Sequence, residues 1–208
     1  MNHNSGATKG MPCYSASITR EQFLFKENRI VAALILEGKT FDEILEQCTD
    51  ENLFQRPTQK SIRSIALACY KRLTFPDSKE LIELIAKGDA NDARLALLYA
   101  FTCQNLIVRD FMVDVIGPKY KSGDYSFDKT EAARFLFELG QRIDSVGKCT
   151  DQTLKKVRSV LVKCLAEAGY LTTVRSNELV QICPCDELQT IIQNRGDSDI
   201  LPAFNVLN

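Results

Sequence analysis

Histidine is almost absent from this sequence: His3 is the single one in 208 residues, and it lies in a small, polar N-terminal stretch. A Ser-His-Asp type triad and any zinc site built on histidine are therefore excluded. Also missing are a Gly-x-Gly-x-x-Gly turn and a Gly-Lys-Ser/Thr phosphate loop, so no backbone cradle for a nucleotide is expected. Long apolar runs are lacking too. The longest, Ile30 to Leu36, has seven residues, far short of the roughly 18–20 that a membrane span needs. The first twenty residues carry no apolar stretch of secretory-leader type, so a cytoplasmic protein with no membrane contact is expected.

Net charge of either sign is equally scarce. Formal charge is -1, so bulk attraction to a polyanion is absent and any such binding must come from local segregation of charge. With 45% hydrophobic residues the chain can bury a core. Eight cysteines (Cys13, Cys48, Cys69, Cys103, Cys149, Cys164, Cys183 and Cys185) are spread at wide intervals. Cys69 and Cys164 fall on apolar helix faces, where a thiol packs as a small hydrophobe. Cys183-Pro-Cys185 supplies only two ligands and no second pair completes a site. Reduced structural cysteines in a reducing compartment are expected, with no metal and no cofactor. Acid pairs such as Asp42-Glu43 coincide with helix starts, where capping and the helix dipole account for them. Enzyme activity is not expected.

The periodicity is helical along nearly the whole chain. Residues 1–18 read as an N-terminal arm, 19–87 as a helical lobe with a helix-turn-helix-like segment, and 88–208 as a second lobe with a winged-helix-like end. Thr19-Arg-Glu-Gln22 and Thr40-Phe-Asp-Glu43 read as capping boxes opening the first two helices. Pro57 precedes a third, over 58–74. Further helices are expected from Asp77 or Ser78 to Lys87, from Asp89 to Cys103 and from Asn105 to Ile116, the last ended by Gly117-Pro118. A surface loop over 119–127 follows, then a helix from Asp128 to Leu139, a short turn, and a long helix from Thr150 or Asp151 to Ala168. Two β-prone runs flank Ser176-Asn177 and predict a hairpin. A helix over 186–194 and a loosely held tail complete an all-α, two-lobed bundle with a small β-hairpin wing.

One feature rises above this background. Between Glu51 and Asp77 there is no acid, yet Arg56, Lys60, Arg63, Lys71 and Arg72 lie there; between Asp151 and Glu167 there is again none, with Lys155, Lys156, Arg158 and Lys163 inside. At about 100° per residue, Ile62, Ile65, Ala66, Cys69 and Leu73 form one stripe, while Lys60, Arg63, Ser64 and Lys71 take the opposite side with Leu67 among them. In the later helix Leu154, Val157, Leu161, Cys164, Leu165 and Ala168 face one way. Gln152, Lys155, Lys156, Ser159 and Lys163 face the other, with Arg158 on the shoulder. The first helix has the order of a recognition helix and the second that of a winged helix with Arg175 near the wing tip. Lys60, Arg63, Lys71, Lys155, Lys156 and Lys163 are expected to contact phosphates, with Gln59, Ser64, Gln152 and Arg175 adding orientation and Arg56, Arg158 and Ser159 beside them. Double-stranded DNA is the expected ligand. A protein-interaction adaptor and an RNA-binding protein remain the alternatives.

Four stretches, in order, carry a resemblance: Tyr14-Ser-Ala-Ser-Ile-Thr19; Glu27-Asn-Arg-Ile-Val-Ala32 with Leu36-Glu-Gly38; Leu81-Ile-Glu-Leu-Ile-Ala-Lys-Gly-Asp89; and Leu165-Ala-Glu-Ala-Gly-Tyr-Leu171. Together they resemble the BrxA family of bacteriophage-exclusion (BREX) defence systems. Phe41 stands where that family leads one to expect tryptophan, and Arg20-Glu21 where Lys-Gly is expected. The resemblance implies a small two-lobed helical protein, similar in parts to the RNA-binding antitermination factor NusB. It also implies a non-enzymatic DNA-binding component working alongside a methyltransferase, an ATPase and other BREX proteins. It carries no catalytic residues.

Overall fold

A computed structural model describes residues 12–20 and 22–207. Its helices are α1 (Phe25–Leu36), α2 (Phe41–Asp50), α3 (Gln59–Thr74), α4 (Lys79–Lys87), α5 (Ala90–Gln104), α6 (Leu106–Phe111), α7 (Gly117–Ser122), α8 (Lys129–Arg142), α9 (Asp144–Gly147), α10 (Asp151–Glu167) and α11 (Asp186–Asn194). Short 3-10 helices at Ala16–Thr19 and Ser198–Phe204 precede and follow them.

Capping chemistry sets most of the starts. Thr40 and Glu43 exchange bonds in a complete capping box at α2, and Asp128 with Glu131 does the same at α8. Thr58, Ser78, Asp89 and Thr150 each offer a side-chain oxygen to the first free backbone N–H groups of α3, α4, α5 and α10. Helix α5 is apolar all round, with Leu95 to Cys103 buried without a gap, so it becomes the axis of the core. Helices α1, α3 and α4 pack on it, and α8 packs against α10. The buried side chains from Ile18 to Phe204 form one connected apolar cluster.

Five expectations are corrected. The Thr19–Gln22 box does not open α1: Thr19 ends the first 3-10 turn and its hydroxyl donates to the Ala16 carbonyl instead. Gly117-Pro118 does not end the sixth helix. A π-helical turn at Met112–Ile116 widens the path, and Pro118 then falls in the first turn of α7, where its missing N–H is tolerated. The expected loop at 119–127 is accordingly helical as far as Ser122, and Gly117 lets the Ala203 backbone approach to 3.4 Å of where a Cβ would stand.

The β-hairpin wing is absent; among the described residues there is no strand, only isolated bridges. The reason is competition for partners. Burial of Tyr170 and Leu171 fixes the first run, and Thr172, Thr173 and Ser176 close a tight turn through their hydroxyls. The second run then bonds to another segment as well: Phe127 N–H donates to Asn177 O and Leu179 N–H to Tyr125 O, while a Val180 N–H bond to Tyr170 O still links the two runs without building a ladder. The tail is not loose either, since Ile200, Leu201, Ala203 and Phe204 are buried and Tyr170 donates to the Ala203 carbonyl. The helix-turn-helix order of α2 and α3 is present, but residues 51–58 join them, where a helix-turn-helix uses about three or four. Of the N-terminal arm, positions 1–11 lie outside the described residues; 12–20 dock through Tyr14, whose hydroxyl donates to Asp110 at 2.7 Å.

Candidate nucleic-acid interface

Helix α3 begins at the Thr58 cap and turns Gln59, Lys60, Arg63, Ser64 and Lys71 to solvent, while Ile62, Ala66, Cys69 and Leu73 enter the core. Helix α10 begins at the Thr150 cap. Gln152, Lys155, Lys156, Ser159 and Lys163 are exposed, Arg158 is half-buried, and Val157, Leu161, Cys164 and Leu165 pack inward. Phase alone separates these faces, because apolar residues at i, i+3, i+4 and i+7 leave the remaining bearings to charge.

The segment Gln22 to Leu24 brings the two helices to a common border. Phe23 is buried, and its carbonyl accepts from Asn28 Nδ2 at 3.0 Å and from the Arg72 guanidinium at 2.8 Å. Arg72 is itself fully buried, with its guanidinium 3.9 Å from the Phe101 ring centroid. Leu24 has φ 52, a left-handed conformation that costs a branched residue roughly 1–2 kcal/mol; the second Asn28 bond, to Leu24 O at 2.9 Å, holds it there. Gln22 is thereby fixed at the surface, where its Oε1 accepts from Lys163 Nζ at 2.7 Å.

Two shallow clefts meet at Gln22. One runs along α10, lined by Thr19, Gln22, Gln152, Lys155, Lys156, Ser159 and Lys163. The other runs along the start of α3, lined by Arg20, Gln22, Arg56, Thr58, Lys60 and Ser64 among others. Helical phase pointed to both faces but not to their meeting. Thr19 and Gln22 read in the sequence as a capping box rather than as part of a surface site, and Arg20 carried no binding signal, since their place depends on two buried side chains holding Phe23.

The charges differ in how they are compensated. Among the described residues Lys60, Arg63, Lys71, Lys155 and Lys156 form no ion pair. Arg56 is committed to Glu27 at 2.8 Å, and Lys163 lies 3.4 Å from Glu167. The Ser159 hydroxyl donates to Lys155 O at 2.9 Å, leaving lone pairs outward. Arg175 is exposed in the turn after Tyr170 and lines neither cleft. Burial pushes the thiols of Cys48 and Cys103 up to about 11 and those of Cys69 and Cys164 up to about 12, the behaviour of packing residues. Among the described residues no group of His, Cys, Asp and Glu could hold a metal ion, and no helix is long and apolar enough to cross a membrane.

Comparison with known proteins places this surface in context. The BrxA family model matches residues 12–196. The chain is 27% identical over 168 residues to a BREX protein BrxA of Bacillus cereus (strain H3081.97), covering 81% of this chain and 84% of that one. It is 25% identical over 176 residues to a BREX protein BrxA of Escherichia coli O9:H4 (strain HS), covering 85% and 82%. A crystal structure of an uncharacterized protein from Magnetospirillum magneticum superposes with TM-score 0.74 at 21% identity, over 93% of this chain and 98% of that chain, a likeness of fold.

Proposed function

The chain belongs to the BrxA family of BREX phage-defence proteins, and on that premise we propose that it is a non-enzymatic accessory that binds double-stranded DNA across α3 and α10. One observation carries the reading: Lys60 of α3 and Lys155 and Lys156 of α10, which form no ion pair among the described residues, line clefts that meet at the same fixed segment on a molecule whose formal charge is -1. Such a surface attracts phosphates locally without making the whole protein a nonspecific polycation. Helix α10 presents Lys155 and Lys156 one turn from Gln152 and Ser159, so cations and hydrogen-bonding groups alternate along a line, as backbone contacts require.

Mobility shifts with duplex DNA over a range of salt test the proposal. Wild type should bind with a steep log–log salt dependence, and Lys155→Glu with Lys156→Glu should weaken binding and flatten it. The pair Lys60→Glu with Arg63→Glu should do the same from the other helix. Duplex RNA of the same sequence should compete poorly. Equal competition by RNA transfers the surface to RNA, and indifference to both nucleic acids at low salt makes it a docking face for acidic protein partners.

A further inference from the structure

Leu67 is 38% exposed near the middle of α3 and belongs neither to the buried apolar cluster nor to the half-buried shell packed on it. At about 100° per residue it shares its bearing with Lys60, Arg63, Ser64 and Lys71, opposite Ile62, Ala66, Cys69 and Leu73. A single exposed leucine is ordinary on a protein surface. Its setting is not, because among the described residues Lys60, Arg63 and Lys71 beside it form no ion pair and α3 contains no acid. A surface of this kind suits a polyanion that presents something apolar between its phosphates.

Duplex DNA offers such a feature: the C5-methyl group of thymine, exposed on the floor of the major groove. Lys60 and Lys71 are separated by about 16 Å along the helix axis at 1.5 Å per residue. The major groove is about 12 Å wide, so the two ends of the stripe reach phosphates on its two sides while Leu67, between them, faces the base edges. We propose that Leu67 reads thymine methyl groups in the major groove, which makes α3 the helix that contacts bases and α10 the one that contacts backbone. The inference rests on the duplex-DNA reading above. It entails discrimination against RNA on two counts: uracil lacks the methyl, and the A-form major groove is too deep and narrow for a helix to read.

Fluorescence-anisotropy titrations of the full chain with two alternating A·T duplexes, identical except that deoxyuridine replaces thymine in one, test this directly. Phosphate charge is the same in both, so only the methyl differs. Wild type should bind the thymine duplex about fourfold more tightly for each methyl contacted. Leu67→Ala, with its folding checked by its urea midpoint, should bind both duplexes at the wild-type deoxyuridine level, with an unchanged salt slope. Replacing cytosine by 5-methylcytosine in a G·C duplex should restore a preference in wild type alone. Equal wild-type affinity for the thymine and deoxyuridine duplexes overturns the methyl contact while DNA binding stands. A thymine preference that survives Leu67→Ala removes Leu67 from it. No binding to any duplex at low salt overturns the DNA reading beneath it.

Discussion

Helices α3 and α10 are alike in sequence and unlike in what their cations do. Both start at a threonine cap, both pass through an acid-free stretch, and both turn one side to the core. The inner face of α10 is wholly apolar, built from Val157, Leu161, Cys164 and Leu165. The inner face of α3 includes Arg72, buried over Phe101 and bonded to the Phe23 carbonyl. One of the cations that makes the α3 stretch look like a polyanion footprint is thus part of the architecture, and it positions the segment that lies between the two basic faces. A run of positive residues does not by itself mark a ligand. Helical phase decides which of them meets water, and only those without a carboxylate partner have charge left to offer.

The inner faces, apart from Arg72, should behave identically. Cys69 on α3 and Cys164 on α10 are both pushed up to about 12 by burial, and both feel Arg72 pulling them partway down. Compared with an ordinary thiol near 9.0, each should hold roughly a thousandfold less thiolate at neutral pH. Alkylation followed by mass spectrometry should therefore label the exposed Cys13 and Cys183 first and leave these two until the protein unfolds. If Cys69 reacts early and Cys164 does not, the two inner faces are not equivalent.

Arg72→Met with Arg158→Met breaks the symmetry from the other direction. Removing Arg72 leaves the buried Phe23 carbonyl without its charged donor and Phe101 without its cation, a loss of about 3 kcal/mol, or roughly a hundredfold in the folding equilibrium. Arg158 is half-buried with no ion pair among the described residues, and its replacement should cost less than about 0.5 kcal/mol. Urea midpoints measure both. Matching midpoints for the two variants would mean that Arg72 is not the anchor of Phe23.

This contrast also marks how far the sequence could be read. Helix starts were legible where a cap lies next to its helix, as at Thr40, Asp128 and Thr150, because capping is chemistry between near neighbours. The outward faces of α3 and α10 were legible because 3.6-residue periodicity is local as well. What failed depended on distant partners. The wing was lost to Tyr125 and Phe127, which hold the second β-prone run. The Thr19 box yielded to the burial of Ile18 and Phe23 on either side of it. Arg56 looked available until Glu27, in α1, came within 2.8 Å of it. Gln22 read only as the end of the Thr19 box and not as a surface anchor, since its position is inherited from Asn28 and Arg72.

Between the outer faces, Lys155→Gln with Lys156→Gln on α10 should equal Lys60→Gln with Lys71→Gln on α3 in salt dependence. Each pair removes two unpaired cations and should flatten the log–log slope by about 1.8, or roughly 60-fold in affinity per decade of salt. The pairs should part on base content: only variants of α3 should alter preference among duplexes, because that helix carries Leu67. A change of preference from the α10 pair would reverse the assignment of the two helices.

The smallest effect is expected within α10 itself. Lys163 shares the exposed face with Lys155 and Lys156, but it already donates to Gln22 Oε1 at 2.7 Å and lies 3.4 Å from Glu167. A cation held near a carboxylate has less charge to exchange for counterions, so Lys163→Gln should flatten the slope by less than the roughly 0.9 of a full contact. Glu167→Gln should act in the opposite sense, releasing Lys163 to the phosphates, steepening the slope and tightening binding at low salt. The two substitutions differ in sign although their side chains touch, which a purely structural disturbance of the C-terminal end of α10 would not produce. If Lys163→Gln matches Lys155→Gln and Glu167→Gln changes nothing, pairing does not grade the cations of this face, and exposure alone sets their contribution.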